Sequence, residues 1–211
     1  MYFSRSIFAK TFLAAAITCS FARMEARERP SQWSGDRFFV GCNYWASHAG
    51  IYMWRRWDAK RVSDDLDALS RHGMTMLRVF PLWPDFQPLT GRYAGQGDPD
   101  GFGTGDGDLA NPESVDQEML ARFRFLCDEA DKRGMRLVVG IVTGWMSGRL
   151  FVPPALERLD VLSDPLAIQW ETRFVRRFVR EFRNHPAIAA WDLGNECNYM
   201  AHPTTPASAW L

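Results

Sequence analysis

Residues 71–77 read RHGMTML and residues 132–138 read KRGMRLV, and the two stretches share one design. In each, a basic residue and a glycine end a helical pattern, and an apolar run begins directly after the glycine. Glycine suits the left-handed position that closes a helix. A helix followed directly by a strand is the junction between two βα units. The similarity of the two stretches therefore predicts that the chain repeats the βα unit.

The rest of the chain extends the same alternation. The helices have apolar residues at three- and four-residue steps, whereas the strands are short and rich in β-branched or aromatic residues. We predict strands at 38–45, 76–80, 135–142 and 187–193, and helices from Asp58 to Gly73, over 114–133, and from Asp164-Pro165 to just before His185-Pro186. Strands that alternate with crossover helices form a parallel sheet.

Two α/β architectures fit this order, an open doubly wound sheet and the front of an eightfold (β/α) barrel. The first helix entry has no G-x-G-x-x-G motif and no P-loop, which disfavours the nucleotide-binding sheet. We therefore favour the barrel. A complete (β/α)8 TIM barrel needs ~250 residues, and this sequence of 211 residues accommodates only four βα units. We expect it to hold the front half, residues 38–211, of a truncated barrel domain.

The charge balance limits the class of partner. Lys plus Arg equals Asp plus Glu, at 25 each, so the whole chain has no net field to attract nucleic acid or an anionic membrane. No stretch reaches the ~20 apolar residues of a membrane span. The four cysteines are too scattered for a disulfide framework. A neutral partner, such as a carbohydrate, suits this composition, and we expect the full-length protein to be a monomer.

The N-terminus allows two interpretations. Residues 1–22 carry two basic residues, a short apolar run and small residues before position 22, which resembles a secretory signal peptide. The apolar run is short, however, and Met24 could be the true start of an intracellular protein. Localisation therefore stays open between secreted and cytoplasmic, and residues 23–37 are interpreted as a leader.

The residues at the strand ends suggest the chemistry, because a (β/α) barrel builds its active site at the C-terminal ends of its strands. Aromatic faces stack on sugar C–H surfaces, amides and Arg bind hydroxyls, and a carboxyl group acts on a glycosidic oxygen. Aromatic, amide, guanidinium and carboxyl side chains at the strand ends therefore predict a carbohydrate-binding site. The candidates are Asn43, Tyr44 and Trp45 at the end of strand one, Arg78 and Trp83 at and just beyond the end of strand two, Trp145 after strand three, and Asn195 and Glu196 after strand four.

The segments GCNYW (41–45), LRVF (77–80) with DFQP (85–88), LVVGIVTGW (137–145) and AIAAWDLGNE (187–196) together resemble the clan A glycoside hydrolases, most nearly family 5, the cellulase and β-mannanase family. The resemblance covers roughly residues 38–200. It implies a retaining glycosidase for β-1,4-linked mannan or glucan, without a cofactor, in which Glu196 is the general acid/base and Asn195 binds the 2-hydroxyl of the scissile sugar. Arg78 would touch the nucleophile, a second Glu expected at the end of strand seven, beyond Leu211.

Other interpretations remain open at this stage. A catalytically inactive barrel could serve as a glycan-binding or scaffold protein. A metal-dependent barrel lyase or hydrolase would need a carboxylate or His cluster, and the sequence offers none. The Gly/Asp-rich segment 98–108 lacks the spacing of an EF-hand and is interpreted as a solvated loop rather than a calcium site. Trp170 and Trp191 are assigned to the core.

Overall fold

The computed structural model describes residues 38–92, 101–103, 112–196 and 199. The proposed signal peptide and leader, and most of the Gly/Asp-rich segment, lie outside these residues. In chain order the elements are β1 (Gly41–Asn43), α1 (Ala59–Arg71), β2 (Met76–Val79), α2 (Trp83–Phe86), β3 (Thr90–Arg92), β4 (Gly101–Gly103), α3 (Gln117–Lys132), β5 (Arg136–Gly140), β6 (Trp145–Met146), β7 (Arg149–Leu150), α4 (Pro165–Phe182) and β8 (Ile188–Asp192).

Four strands form one parallel sheet in the order β1-β2-β5-β8, and α1, α3 and α4 are the crossovers between neighbours. Each strand therefore lies beside the one that precedes it in the repeat, as in a (β/α) barrel. The predicted architecture, four βα units of a partial barrel, is confirmed. Because all four strands run the same way, their C-terminal ends lie at one edge of the sheet.

Aspartate caps begin all three crossover helices. The carboxylate of Asp58 accepts from the N–H of Arg61 at 2.9 Å, and that of Asp164 accepts from Leu166 at 2.8 Å. In α3 the cap is Asp116, so this helix begins three residues later than the predicted position 114. Ser114 has a φ of 52°, in the left-handed region that a helix cannot use. Each cap satisfies N–H groups that the first helical turn leaves unpaired.

The core lies between the sheet and the crossover helices. Phe123 of α3 packs edge-on against Phe178 and Phe182 of α4, each with ring centroids 4.8 Å apart. On the sheet, alternate residues of β2 and β5 face these rings and are buried, as period-two alternation requires. The predicted core position Trp170 is buried, and Trp191 packs against the core beside Phe178.

Several short elements were not predicted from the sequence. The segment after β2, interpreted as one long loop, contains the short helix α2 and the antiparallel pair β3–β4. A second antiparallel hairpin, β6–β7, follows β5, and its turn uses positive φ at Ser147 (52°) and Gly148 (77°). The sheet strands are also shorter than predicted, β1 most of all, because β1 pairs with β2 over only three residues. The crossover scaffold is thus simple, and the additions extend from the edge where the strands end.

Two further findings concern the described residues alone. None of the helices there is long and apolar enough to cross a membrane. The two cysteines among these residues are free thiols, exposed at position 42 and buried at position 127.

Candidate active site

Arg78 is the hub of the side chains at the sheet edge. Its Nε donates to Oδ2 of Asp192 at 2.8 Å, and its Nη2 also contacts that oxygen. Its Nη1 donates to Oδ1 of Asn195 at 3.0 Å, and Nη2 lies 3.4 Å from the carbonyl oxygen of Gly194. One guanidinium thus ties β2 to the end of β8, across the intervening β5. Such charge-assisted, fork-like bonds fix orientation as well as distance.

Strand register explains why these side chains meet. Asn43, Arg78 and Val138 are register partners in β1, β2 and β5, and Gly140 is paired with Asp192 of β8. Register partners in a pleated sheet point to the same face, so these residues share the face opposite the helices. In a closed barrel that face is the interior. The site therefore lies where the barrel interior opens at the C-terminal edge.

Gly140 makes room at the centre of this face. A Cβ atom built there would lie 2.9 Å from Cδ1 of the Phe80 ring. The guanidinium carbon of Arg78 lies 4.7 Å from the centroid of the same ring. The ring of Trp45 also stacks with it, with centroids 5.2 Å apart. Phe80 therefore packs against the guanidinium of Arg78, and the absence of a side chain on Gly140 leaves room for the Phe80 ring.

Replacing Gly140 with alanine is expected to shift Phe80 and, with it, the arginine above. We expect a loss of about 1–3 kcal/mol in the free energy of unfolding, the usual cost of overpacking a core, measured by urea denaturation of the full-length protein. Val138→Ala on the same strand removes volume instead of adding it and serves as the comparison. An unchanged unfolding midpoint for Gly140→Ala would contradict the close approach.

Asn195 is buried, with 8% of its surface exposed. Its Oδ1 accepts from Arg78, and its Nδ2 donates to the carbonyl oxygen of Trp145 at 2.7 Å and lies 3.7 Å from Sδ of Met146. The amide thus joins the strand end to the β6–β7 hairpin. Because a thioether is a weak acceptor, the hydrogen directed at Met146 is the less strongly held of the two.

Glu196 follows directly and is exposed to solvent. Its backbone has a φ of 50°, a left-handed conformation that is uncommon for residues other than glycine. Its carbonyl oxygen accepts from the N–H of Tyr199 at 2.8 Å. The structure therefore places an exposed carboxylate beside a residue that is held by hydrogen bonds on both sides of its amide.

Two predicted sugar contacts lie elsewhere. Trp83 has no exposed surface: it lies in α2, donates its indole N–H to Gln87 at 2.7 Å and stacks on Phe174 of α4. Tyr44 is also buried, with its hydroxyl 3.3 Å from Asp65, and burial raises the pKa of this phenol well above its usual range. Neither ring has a surface to offer a sugar, because both pack into the core. We correct these two assignments to structural roles.

The remaining candidates keep accessible surface. Asn43 at the end of β1 is exposed, and Trp45 and Trp145 are half-buried. Asp192 is the member of the cluster that the sequence reasoning missed, since only the residues after the strand were considered. A signal was present: Trp191 was assigned to the core, and strand alternation then turns Asp192 to the opposite face, the one that carries Arg78.

The described part of the chain contains no group of three or more His, Cys, Asp or Glu residues arranged to hold a metal ion. The carboxylate of Asp192 is committed to Arg78 and to the N–H of Gly194, which donates to its Oδ1 at 3.2 Å. Among the described residues of this edge, the ion pair of Arg78 and Asp192 joins the strand ends, and Glu196 carries an exposed carboxylate.

Comparisons with solved structures identify the architecture. An exo-β-1,4-mannosidase from Opitutaceae bacterium strain TAV5 is 29% identical, with a TM-score of 0.60 over 79% of this chain and 28% of the other. A GH5_18 protein from Bifidobacterium longum subsp. infantis is 26% identical, with a TM-score of 0.65 over 82% and 37%. A GH5_18 protein from Streptomyces cattleya, in complex with GlcNAc, is 24% identical with the same TM-score and coverage, and at that identity the likeness concerns the fold alone.

The chain thus spans 28 to 37% of the length of these three solved structures. A scan of protein-family models finds no match, and neither does a search of curated proteins. The family resemblance noted in the sequence is therefore supported by similarity to solved structures, and not by a match to a family model or to a curated protein.

Proposed function

We propose that this chain, which has the fold of the clan A glycoside hydrolases and is nearest to family 5, forms the first four βα units of the catalytic barrel of a retaining β-glycosidase. Its neighbours in fold include an exo-β-1,4-mannosidase and two GH5_18 proteins. The observation that supports the activity most directly is the exposed carboxylate of Glu196, four residues beyond β8 and next in sequence to Asn195, which accepts a hydrogen bond from Arg78.

In this proposal Glu196 is the general acid/base. It protonates the leaving glycosidic oxygen in the first step and takes a proton from the attacking water in the second. A second carboxylate, supplied by another part of the barrel about 5–5.5 Å away, attacks the anomeric carbon and forms the glycosyl-enzyme. The sequence similarity implies that it is a glutamate at the end of the seventh barrel strand.

Arg78 is proposed to contact that nucleophile. Its guanidinium has five N–H groups, and contacts with Asp192, Asn195 and Gly194 account for four of them. The remaining hydrogen, on Nη1, is the one proposed to reach a carboxylate from across the barrel. Because Asp192 balances its charge, the arginine would orient the nucleophile without strongly suppressing its reactivity.

For the substrate we propose a β-1,4-linked mannoside in preference to a glucan. An exo-β-1,4-mannosidase has the highest sequence identity of the three structures described above, 29%. The edge of the sheet also presents accessible aromatic rings at Trp45 and Trp145 for the C–H face of a neutral sugar.

The test is hydrolysis by the full-length protein of β-1,4-mannobiose and of cellobiose, followed by proton NMR. We expect faster cleavage of mannobiose than of cellobiose. With methyl β-mannoside, which releases a single sugar, β-mannose should be the first anomer, because a double displacement retains configuration. If the α-anomer appeared first, the retaining mechanism would be wrong. If neither sugar were cleaved but mannobiose bound by calorimetry, the inactive glycan-binding barrel would be favoured.

A further inference from the structure

Two aromatic rings stack beside the proposed acid/base. The rings of Trp145, in β6, and Tyr199 are nearly parallel, with centroids 5.9 Å apart and an interplanar angle of 21°. Tyr199 keeps 61% of its surface exposed although one of its faces lies on the indole. Its N–H donates to the Glu196 carbonyl oxygen at 2.8 Å, so the stack adjoins the turn that carries the carboxylate.

The hairpin under this stack is held in place at several points. The Trp145 carbonyl oxygen accepts from the amide of Asn195 at 2.7 Å. At its base, the N–H of Phe151 donates to the Gly144 carbonyl oxygen at 2.6 Å, and beyond the turn Arg149 donates to the Tyr52 hydroxyl at 3.1 Å. An aromatic face that is fixed before binding loses little conformational entropy when a ligand stacks on it.

The proton chemistry indicates which sugar would use this face. A general acid lies on the side of the leaving oxygen, and the sugar that carries this oxygen departs on the same side. A solvent-exposed aromatic surface attached to the acid/base turn is therefore suited to the C–H face of that departing sugar.

We infer that Trp145 and Tyr199 form the platform that binds the leaving-group sugar, and that they select substrates whose leaving group is a pyranose. This inference rests on the proposed glycosidase activity and deepens it. The sequence did not suggest Tyr199 as a site residue. The inference assigns both rings of the stacked pair, Trp145 and Tyr199, to the leaving-group sugar.

The test compares two substrates that share the sugar attacked and differ in the leaving group, β-1,4-mannobiose and methyl β-mannoside. Both need a proton from Glu196, so a change that merely displaced the carboxylate would affect them equally. In the full-length protein we expect Tyr199→Ala to lower kcat/KM for mannobiose about tenfold, the effect of roughly 1.4 kcal/mol of stacking. Its kcat/KM for methyl β-mannoside should stay within about twofold of native, on the same stacking argument.

Tyr199→Phe is the matched control. It keeps the ring and removes only the hydroxyl, so it should recover most of the kcat/KM for mannobiose that Tyr199→Ala loses. The platform would be overturned if Tyr199→Ala lowered kcat/KM equally for both substrates, or if Tyr199→Phe were as impaired as the alanine variant. If the native protein cleaved neither substrate, the proposed activity itself would fail and the inference with it, whereas cleavage of both with equal losses would remove the platform alone.

Discussion

Glu196→Ala in the full-length protein is expected to lower kcat/KM for β-1,4-mannobiose by about 10²–10⁴-fold, the usual contribution of a positioned general acid. The loss should be much smaller for 2,4-dinitrophenyl β-mannoside. Dinitrophenolate leaves without protonation, so forming the glycosyl-enzyme no longer depends on the carboxyl group. The two kcat/KM values together report whether Glu196 donates a proton or merely supports the structure.

Azide sharpens this test. With the carboxylate removed, water attacks the glycosyl-enzyme slowly because no base assists it, whereas azide, which is already an anion, needs none. Azide should therefore form a bond to the anomeric carbon, release the nucleophile carboxylate, raise kcat for the dinitrophenyl substrate and give β-mannosyl azide. Glu118→Ala changes an exposed residue of α3. Its kcat for the dinitrophenyl substrate should equal the native value with and without azide. Formation of the α-azide would instead assign Glu196 as the nucleophile.

The second large effect is expected at Asp192. Asp192→Ala leaves the Arg78 guanidinium and the N–H of Gly194 without their shared acceptor. We expect a loss of about 1–3 kcal/mol of stability, since the removed bonds involve a charged pair whose side chains are 31% and 30% exposed. We also expect an activity loss of about tenfold or more, because misplacing a catalytic group by about 1 Å has effects of that size.

The leaving group separates positioning from simple destabilisation. If Asp192 positions the Asn195-Glu196 turn through Arg78, Asp192→Asn should lower kcat/KM more for mannobiose than for the dinitrophenyl glycoside. Asp64→Asn, at the exposed ion pair with Lys60, should change neither stability nor rate, because exposed pairs contribute little. Equal losses of Asp192→Asn on both substrates would reduce Asp192 to a structural residue.

The backbone scaffold was predictable because its signals are local. The glycines at 73 and 134, the aspartates at 58 and 164, and the four-residue apolar step of α4 each act within one turn of helix, so their effects survive in any tertiary setting. The alternation of strands and helices then restricts the topology to a small number of parallel arrangements.

The site was predicted less completely, because its contacts join residues far apart in the sequence. The bond between Arg78 and Asp192 spans 114 positions, and it reaches across β5, which lies between β2 and β8 in the sheet. Trp83 shows the opposite error. It follows the second strand closely enough to suggest a place at the rim, yet the short helix α2 turns its ring into the core. The strand ends identify a region, and the local turns determine which side chains face it.

At Glu196, the proposed proton transfer requires a side chain that lowers the stability of the fold, because the backbone there is left-handed. An L-residue with a side chain loses about 1–2 kcal/mol in this conformation, whereas glycine does not. A chain optimised for heat resistance alone would therefore carry glycine where the carboxylate stands, and thermal screening of random variants would enrich inactive proteins at this position. At Glu196, glycine would therefore stabilise the native fold and abolish the proposed proton transfer.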